Sequence, residues 1–380
     1  MTTTRFMTTA TTALMAVSCG AAFAAPVVQN VTGTLSHKTT VTVSGSGFGT
    51  KTSAAPALWD DGSATSLSSK WSLSVPNAAA DGSYNIQYRS TGYRGVAGPH
   101  SNSSKYIVGG HTNTWNPYAG GNVMLTKGRS SHTEGDIVYA RAYARLDPKW
   151  QFGGSSEDNN HKWWVTNFGG NGPYEDDYFY VDFDQGKFTN PTAAVQHKYS
   201  GSGVLSLSDA NGHSNWWGSS KNPASGWTMY EVETKLSTGS GGYLKVWADG
   251  VLVMNYAGRT DGRAGSSVSV GFGGYSSTYP ISPTNNFRYF ADVYIDFTAA
   301  RVLLANNSSL SSATVIEPQI PSRWTDGAID VAVNAGKLTT GQTAYLFVVD
   351  SKGARNANGL PVVVGSAVAG PKAPTNVTAQ

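Results

Sequence analysis

Tyr139, Arg141, Tyr143 and Arg145 recur at every second position, a row of two phenols and two guanidinium groups. Between them, Val138, Ala140, Ala142, Ala144 and Leu146 make the complementary apolar set. A period of two predicts a strand over residues 136–146 with one buried and one solvated face. The chemistry open to such a face is grip on a sugar polymer. Aromatic rings stack on sugar faces, and guanidinium forks hold carboxylates or sulfates. The plain alternative is a solvated sheet with ordinary cross-strand Tyr–Arg pairs. Residues 161–168 alternate in the same way and offer Lys162 or Trp163 to that face. Later strands add Glu231 and Glu233, Lys245 and Trp247, and Asp292 and Tyr294.

Glu231 and Glu233 fall on one side of their strand, roughly 7 Å apart. Paired carboxylates raise glycoside hydrolysis, but a retaining enzyme needs them about 5–5.5 Å apart. β-Elimination from a uronate needs a cation at the carboxylate and a Tyr, His or Lys to take the neighbouring proton. Tyr143, Arg141 and His197 are the candidates for that role, in the company of Arg145, Lys162, Gln196 and Tyr199.

The elements that must position these groups follow from composition. Only 13% of the 380 residues are charged, while glycine (44) and aromatics (11%) are plentiful. That profile suits an all-β extracellular protein and excludes a helical bundle or a disordered chain. A net charge of +3 without any Lys/Arg run gives no footprint for nucleic acid. Residues 1–25 read as an export signal, with Arg5 in the n-region and Ala22-Phe23-Ala24 as the cleavage site, so secretion is expected. Cys19, the only cysteine, lies inside it; lipid anchoring there is disfavoured because Ala16, three residues earlier, is not Leu. No later stretch reaches the roughly 18 apolar residues of a membrane span.

From about residue 60 to 300, strand follows strand between Gly/Asn/Ser loops, which predicts an antiparallel two-sheet sandwich. Asp249-Gly250, between apolar runs, is a hairpin turn. Loop runs such as Glu157-Asp158 and Glu175-Asp176-Asp177 are oxygen-rich enough for Ca2+ but lack the D-x-D-x-D-G spacing, so no cofactor is expected.

Two resemblances refine this. Gly45-Ser46-Gly47-Phe48-Gly49 after a short strand resembles the opening of an IPT/TIG module, a small immunoglobulin-like sandwich. The rest of that pattern returns near the C-terminus with Trp324, Asp326, Ile329 and Gly341. The implied organisation is a split module, residues 27–59 and 301–366, around a larger domain at residues 60–300, with a linker-like tail at 367–380. The segments 226–253 and 288–301 resemble the concanavalin A-like lectin/glucanase jelly roll, most closely its polysaccharide-lyase and laminin-G-like branches. That resemblance implies polysaccharide binding on a concave sheet. The E-x-D-x-E strand of its laminarinase-type members is absent. Gln196-His197 is similar to the Gln-x-His of jelly-roll alginate lyases but lacks the spacer residue. The expectation is therefore a secreted protein that binds an extracellular polysaccharide. Lyase action on an anionic glycan and a structural or adhesive surface role are the alternatives.

Overall fold

Three antiparallel sheets make up the computed structural model, which describes residues 25–74, 86–110, 124–149, 164–167, 178–182, 192–198, 204–206, 226–258, 260, 265, 267–272 and 287–368. The first, here the distal sheet, runs β12-β11-β10-β9-β16-β7-β4. Its strands are β4 (Ser72–Ser74), β7 (Met124–Arg129), β9 (Trp164–Asn167), β10 (Tyr178–Asp182), β11 (Thr192–Lys198), β12 (Val204–Ser206) and β16 (Val268–Phe272). The central sheet runs β15-β14-β13-β8-β17-β6-β5, with β3 also on β17. It contains β3 (Leu58–Asp60), β5 (Gln87–Ser90), β6 (Lys105–Gly110), β8 (Ile137–Leu146), β13 (Thr228–Lys235), β14 (Tyr243–Ala248), β15 (Val251–Ala257) and β17 (Phe287–Asp296).

The third sheet joins strands from both ends of the described chain. It runs β22-β21-β18-β19-β20-β2-β1-β23. The strands are β1 (Val27–Thr34), β2 (Thr40–Ser46), β18 (Arg301–Ala305), β19 (Ile316–Trp324), β20 (Ala328–Ala332), β21 (Thr343–Val349), β22 (Leu360–Val363) and β23 (Ala367–Val368). We call it the terminal sheet. It folds over on itself, so that Val302, Leu304, Leu346 and Val348 meet Val31, Val41, Val43, Ile329 and Val331 in one core. The two motifs at opposite ends of the chain touch there. Trp324 Nε1 donates to the Phe48 carbonyl at 3.3 Å, and the Gly49 amide donates to Asp326 Oδ1 at 2.9 Å.

The period-two pattern of the central strands has a consequence in both directions. One face of β8, with Val138, Ala140, Ala142 and Ala144, packs with Tyr230, Val232, Phe290 and Ile295 and with Val270 and Phe272 of the distal sheet. The opposite face is covered as well. Tyr143, Met229, Tyr289 and Ala291 pack with Leu303, Ile316, Phe347 and Val349 of the terminal sheet. The central sheet is thus the middle layer of three. The expectation of a solvated face on β8 is corrected: alternation reports that two faces differ, and here the polar one meets a second protein layer.

Candidate functional site: a charged layer opening into a cleft

Between the central and terminal sheets the polar row of β8 meets a matched set of carboxylates. Arg141 is wholly buried, and its Nη2 lies 2.7 Å from Oε2 of Glu317 on β19, which is equally buried. Tyr143 donates its hydroxyl to Glu317 Oε1 at 2.6 Å, and the Lys337 amide donates to the same oxygen at 3.0 Å. Tyr139 donates to Glu231 Oε1 at 2.5 Å, while the Arg301 guanidinium lies 4.0 Å from the Tyr139 ring centre. Arg301 Nη2 pairs with Glu233 Oε2 at 2.8 Å, and Tyr243 donates to Glu233 Oε1 at 3.0 Å.

The same layer continues on β17. A bulge between Ala291 and Tyr294 puts Asp292 at φ +50, with Oδ2 2.5 Å from His100 Nε2. Lys51 Nζ pairs with Asp296 Oδ2 at 2.7 Å, the carboxylate that Tyr294 also approaches at 3.5 Å.

Burial dictates the proton affinities. It pushes the hydroxyls of Tyr139, Tyr143 and Tyr294 well above the usual phenol range, and the neighbouring carboxylates push the same way. Burial also raises the Glu231 carboxyl, against the pull of Arg141. For Arg141, burial alone would lower the affinity, but Glu317 and the surrounding phenols and carboxylates raise it, so the guanidinium is charged.

This geometry corrects part of the sequence expectation. Tyr139, Arg141, Tyr143, Asp292 and Tyr294 are buried and partnered within the layer, so they cannot meet a polymer in this arrangement. Tyr143 and Arg141 are not placed to act as base and cation of a lyase, because Glu317 accepts the hydrogen bond of the Tyr143 hydroxyl and holds the guanidinium. Arg145, half-buried, stands across from Tyr289 at the far end of β8. His197 is paired with Leu205, and Gln196 with Ser206, between β11 and β12 of the distal sheet. Lys162 and Trp163 lie outside the described residues, as do residues 1–24 of the expected export signal and both acidic loop runs.

The remaining four expected residues come together. Glu231 stands directly opposite Trp247, and Glu233 opposite Lys245, on β13 and β14. These four line a cleft of about 420 Å³ between the central and terminal sheets. Arg301 and Leu303 of β18 face them, with Lys352 and Arg355 from the turn after β21 and Tyr243 beside Lys245. Lys245 Nζ lies 4.6 Å from the Tyr243 ring centre. Four cations against two acids, one of which is already paired with Arg301, leave a surplus of positive charge beside an indole. Such a site can hold an anionic ring: indole against the apolar face, ammonium and guanidinium at a carboxylate.

Sequence reasoning missed Arg301, Arg355 and Lys352 because only the third layer brings them here. It missed Glu317 too, whose one signal is a carboxylate between Ile316 and Pro318 at the start of β19. Among the described residues, no group of three His, Cys, Asp or Glu side chains is arranged to hold a metal ion, and no helix is long and apolar enough to cross a membrane.

No protein-family model matches the sequence, and no curated protein matches it. Solved structures do. An endo-β-1,4-glucuronan lyase from Trichoderma reesei is 14% identical, with 64% of this chain and 96% of that one covered, at a TM-score of 0.43. The alginate lyase Aly36B is 16% identical over 52% of this chain and 81% of its own, at 0.36. The κ-carrageenase of Pseudoalteromonas carrageenovora is 10% identical over 63% and 92%, also at 0.36. At this distance the substrates of those proteins are properties of those proteins alone, and what holds for this chain is the antiparallel all-β sandwich.

Proposed function

We propose that this protein binds an extracellular polysaccharide and holds an anionic unit of it in the cleft between β13, β14 and β18. The observation that carries the reading is Trp247 beside Lys245, Arg355 and Lys352 in one 420 Å³ space. Residues 1–25 are read as an export signal that would carry the protein to where such polymers are found, and the split terminal sheet is read as an IPT/TIG module that roofs the cleft. The test is retardation in native gels containing alginate, glucuronan or pectate. Retardation by one of them is expected, with Trp247→Ala and Arg355→Ala each weakening it about tenfold, the worth of roughly 1.4 kcal/mol. No retardation by any polymer, or retardation indifferent to both substitutions, refutes the reading.

A lyase reading is favoured by one observation elsewhere. Tyr178 of β10 stands opposite both Gln196 of β11 and Asn167 of β9, and Asn167 stands opposite Ser269 of β16, a polar row across the distal sheet. Absorbance near 235 nm rising with one of those polymers, and abolished in Tyr178→Phe, is the result that this reading requires.

A further inference from the structure

A second, smaller cavity lies where the β1–β2 turn, the segment after β3 and the end of β20 meet, on the terminal sheet's side of Trp59. Its volume is about 220 Å³, room for one ring rather than a polymer segment. Trp59 and backbone-flanking apolar residues of β19 and β20 form its walls, and His37, Lys38, Asp61, Ser63 and Asn334 supply the polar groups.

Each polar group has a defined state. Asn334 is 2% exposed, its Oδ1 accepts from the Gly336 amide at 3.2 Å, and its Nδ2 is buried with no hydrogen-bond partner. That amide nitrogen is closed to solvent, so Asn334 serves the cavity as wall and not as a donor to a ligand. His37 Nδ1 accepts from the Ala335 amide at 3.4 Å, which leaves the ring proton on Nε2 as a donor. Lys38 Nζ and Asp61 Oδ2 form an ion pair at 3.3 Å, and Asp61 Oδ1 accepts from the Ser63 amide at 3.0 Å. Burial alone would raise the Asp61 carboxyl, but the Ser63 bonds and Lys38 outweigh it and keep the group ionised. Burial also lowers the His37 affinity, with Lys38 acting the same way, so the imidazole is neutral.

One cation and one anion, mutually paired, leave the cavity without net charge. Donors on His37 and Lys38 stand with an acceptor on Asp61 beside an indole. That combination suits a neutral ring bearing adjacent hydroxyls, each of which both donates and accepts. Lys38 adds a backbone observation: it sits at φ +68, in the left-handed region that a lysine adopts at a cost.

We propose that this cavity is a binding site for a single neutral pyranose, either free or at the end of a glycan chain. It differs from the cleft in place and in charge preference, and it does not rest on the cleft reading.

The experiment is calorimetric titration of the full chain with methyl glycosides of glucose, galactose and mannose, and with methyl glucuronide. One neutral glycoside is expected to bind at one site, more tightly than the glucuronide. Trp59→Ala and Asp61→Asn should each weaken it about tenfold or more, through loss of the indole face or of a charged acceptor. Lys38→Gly removes the ammonium, while glycine accepts the turn without strain, so this variant folds and should weaken binding too. Trp247→Ala should leave it unchanged, which separates this site from the cleft. A glycan oligomer that binds where its free monosaccharide does not assigns the site to chain ends. No binding by any glycoside or oligomer, or binding indifferent to Trp59→Ala, Asp61→Asn and Lys38→Gly, overturns the proposal.

Discussion

Glu317→Gln tests whether the charged layer is architecture or binding surface. The carboxylate of Glu317 is fully buried and is the counter-charge to the equally buried Arg141, whose Nε and Nη1 have no hydrogen-bond partner among the described residues. Glutamine keeps the shape and still accepts from Tyr143, but it leaves the guanidinium without a counter-charge. Breaking one partner of a buried pair costs about 3–5 kcal/mol. For domains of 150–250 residues each kcal/mol moves the midpoint by about 2–4 °C, so the thermal transition should fall by roughly 6–20 °C. Scanning calorimetry reads it directly. The second arm is Arg141→Met with Glu317→Met. Removing both charges together strands no charge, only the Tyr143 hydroxyl and the Lys337 amide that donate to Glu317, so the double variant should be damaged clearly less than the sum of its singles. It should also keep its polysaccharide retardation, because neither residue lines the cleft. A Glu317→Gln protein with an unchanged transition refutes the structural role, and so does a double variant as damaged as the sum of its singles.

Two further outcomes follow from the same layers. Gly336 sits at φ +50, and a Cβ there would run into the Glu317 carboxylate. Gly336→Ala should therefore cost about 2 kcal/mol or more from backbone strain and displaced carboxylate together, read as a lower urea midpoint; an unchanged midpoint sinks the assignment. His37 has its proton affinity lowered from 6.5 by burial and by Lys38 and His100, against Asp292 and Asp61. The unfolded chain then binds the proton more readily, so the contribution is complete above about pH 6.5 and is lost as pH falls below it. Thermal midpoints measured from pH 8 to 5.5 should decline on the acid side, and less so in His37→Asn; identical slopes in both proteins would exclude the effect.

The all-β class and the main strands were legible because their signals are local. Alternation over residues 136–146 matches Ile137–Leu146, and Asp249-Gly250 turns at φ +46 and +75 between β14 and β15. Gly250 is needed there, since any Cβ would strike the Ala313 carbonyl. What alternation does not carry is the identity of the layer against each face. Tyr139, Arg141 and Tyr143 have the composition of a solvated binding row, and the same composition serves a buried polar layer once Glu231 and Glu317 are supplied. Glu231 lies 90 residues away from Arg141 in sequence and Glu317 176 away, the latter on a strand whose neighbours belong to another sheet. No pattern within a strand contains that information. Glu231, Glu233, Lys245 and Trp247 were legible as a set because cross-strand pairing of β13 and β14 is itself local, set by one short connection. Their opposing wall, Arg301 and Arg355, was not.

The charged layer also explains why the cleft can be a defined shape. The apolar contacts of Phe347, Val349 and Leu303 on Tyr143, Met229 and Tyr289 draw the terminal sheet onto the central one without fixing its angle, because apolar burial is non-directional. The Arg141–Glu317 and Arg301–Glu233 pairs are directional, and a shift of either sheet by one residue would strand four buried charges. Of the two pairs, Arg301 and Glu233 form part of the cleft wall. On this argument the Arg301–Glu233 pair, which lines the cleft, sets where Arg355 and Lys352 stand relative to Trp247. Arg301→Met should then damage polysaccharide retardation more than the loss of one cation accounts for, and Arg301→Met with Glu233→Met should restore stability without restoring binding. If retardation returns together with stability in that double variant, the pair neither positions the wall nor contacts the polymer, and the positioning role is refuted.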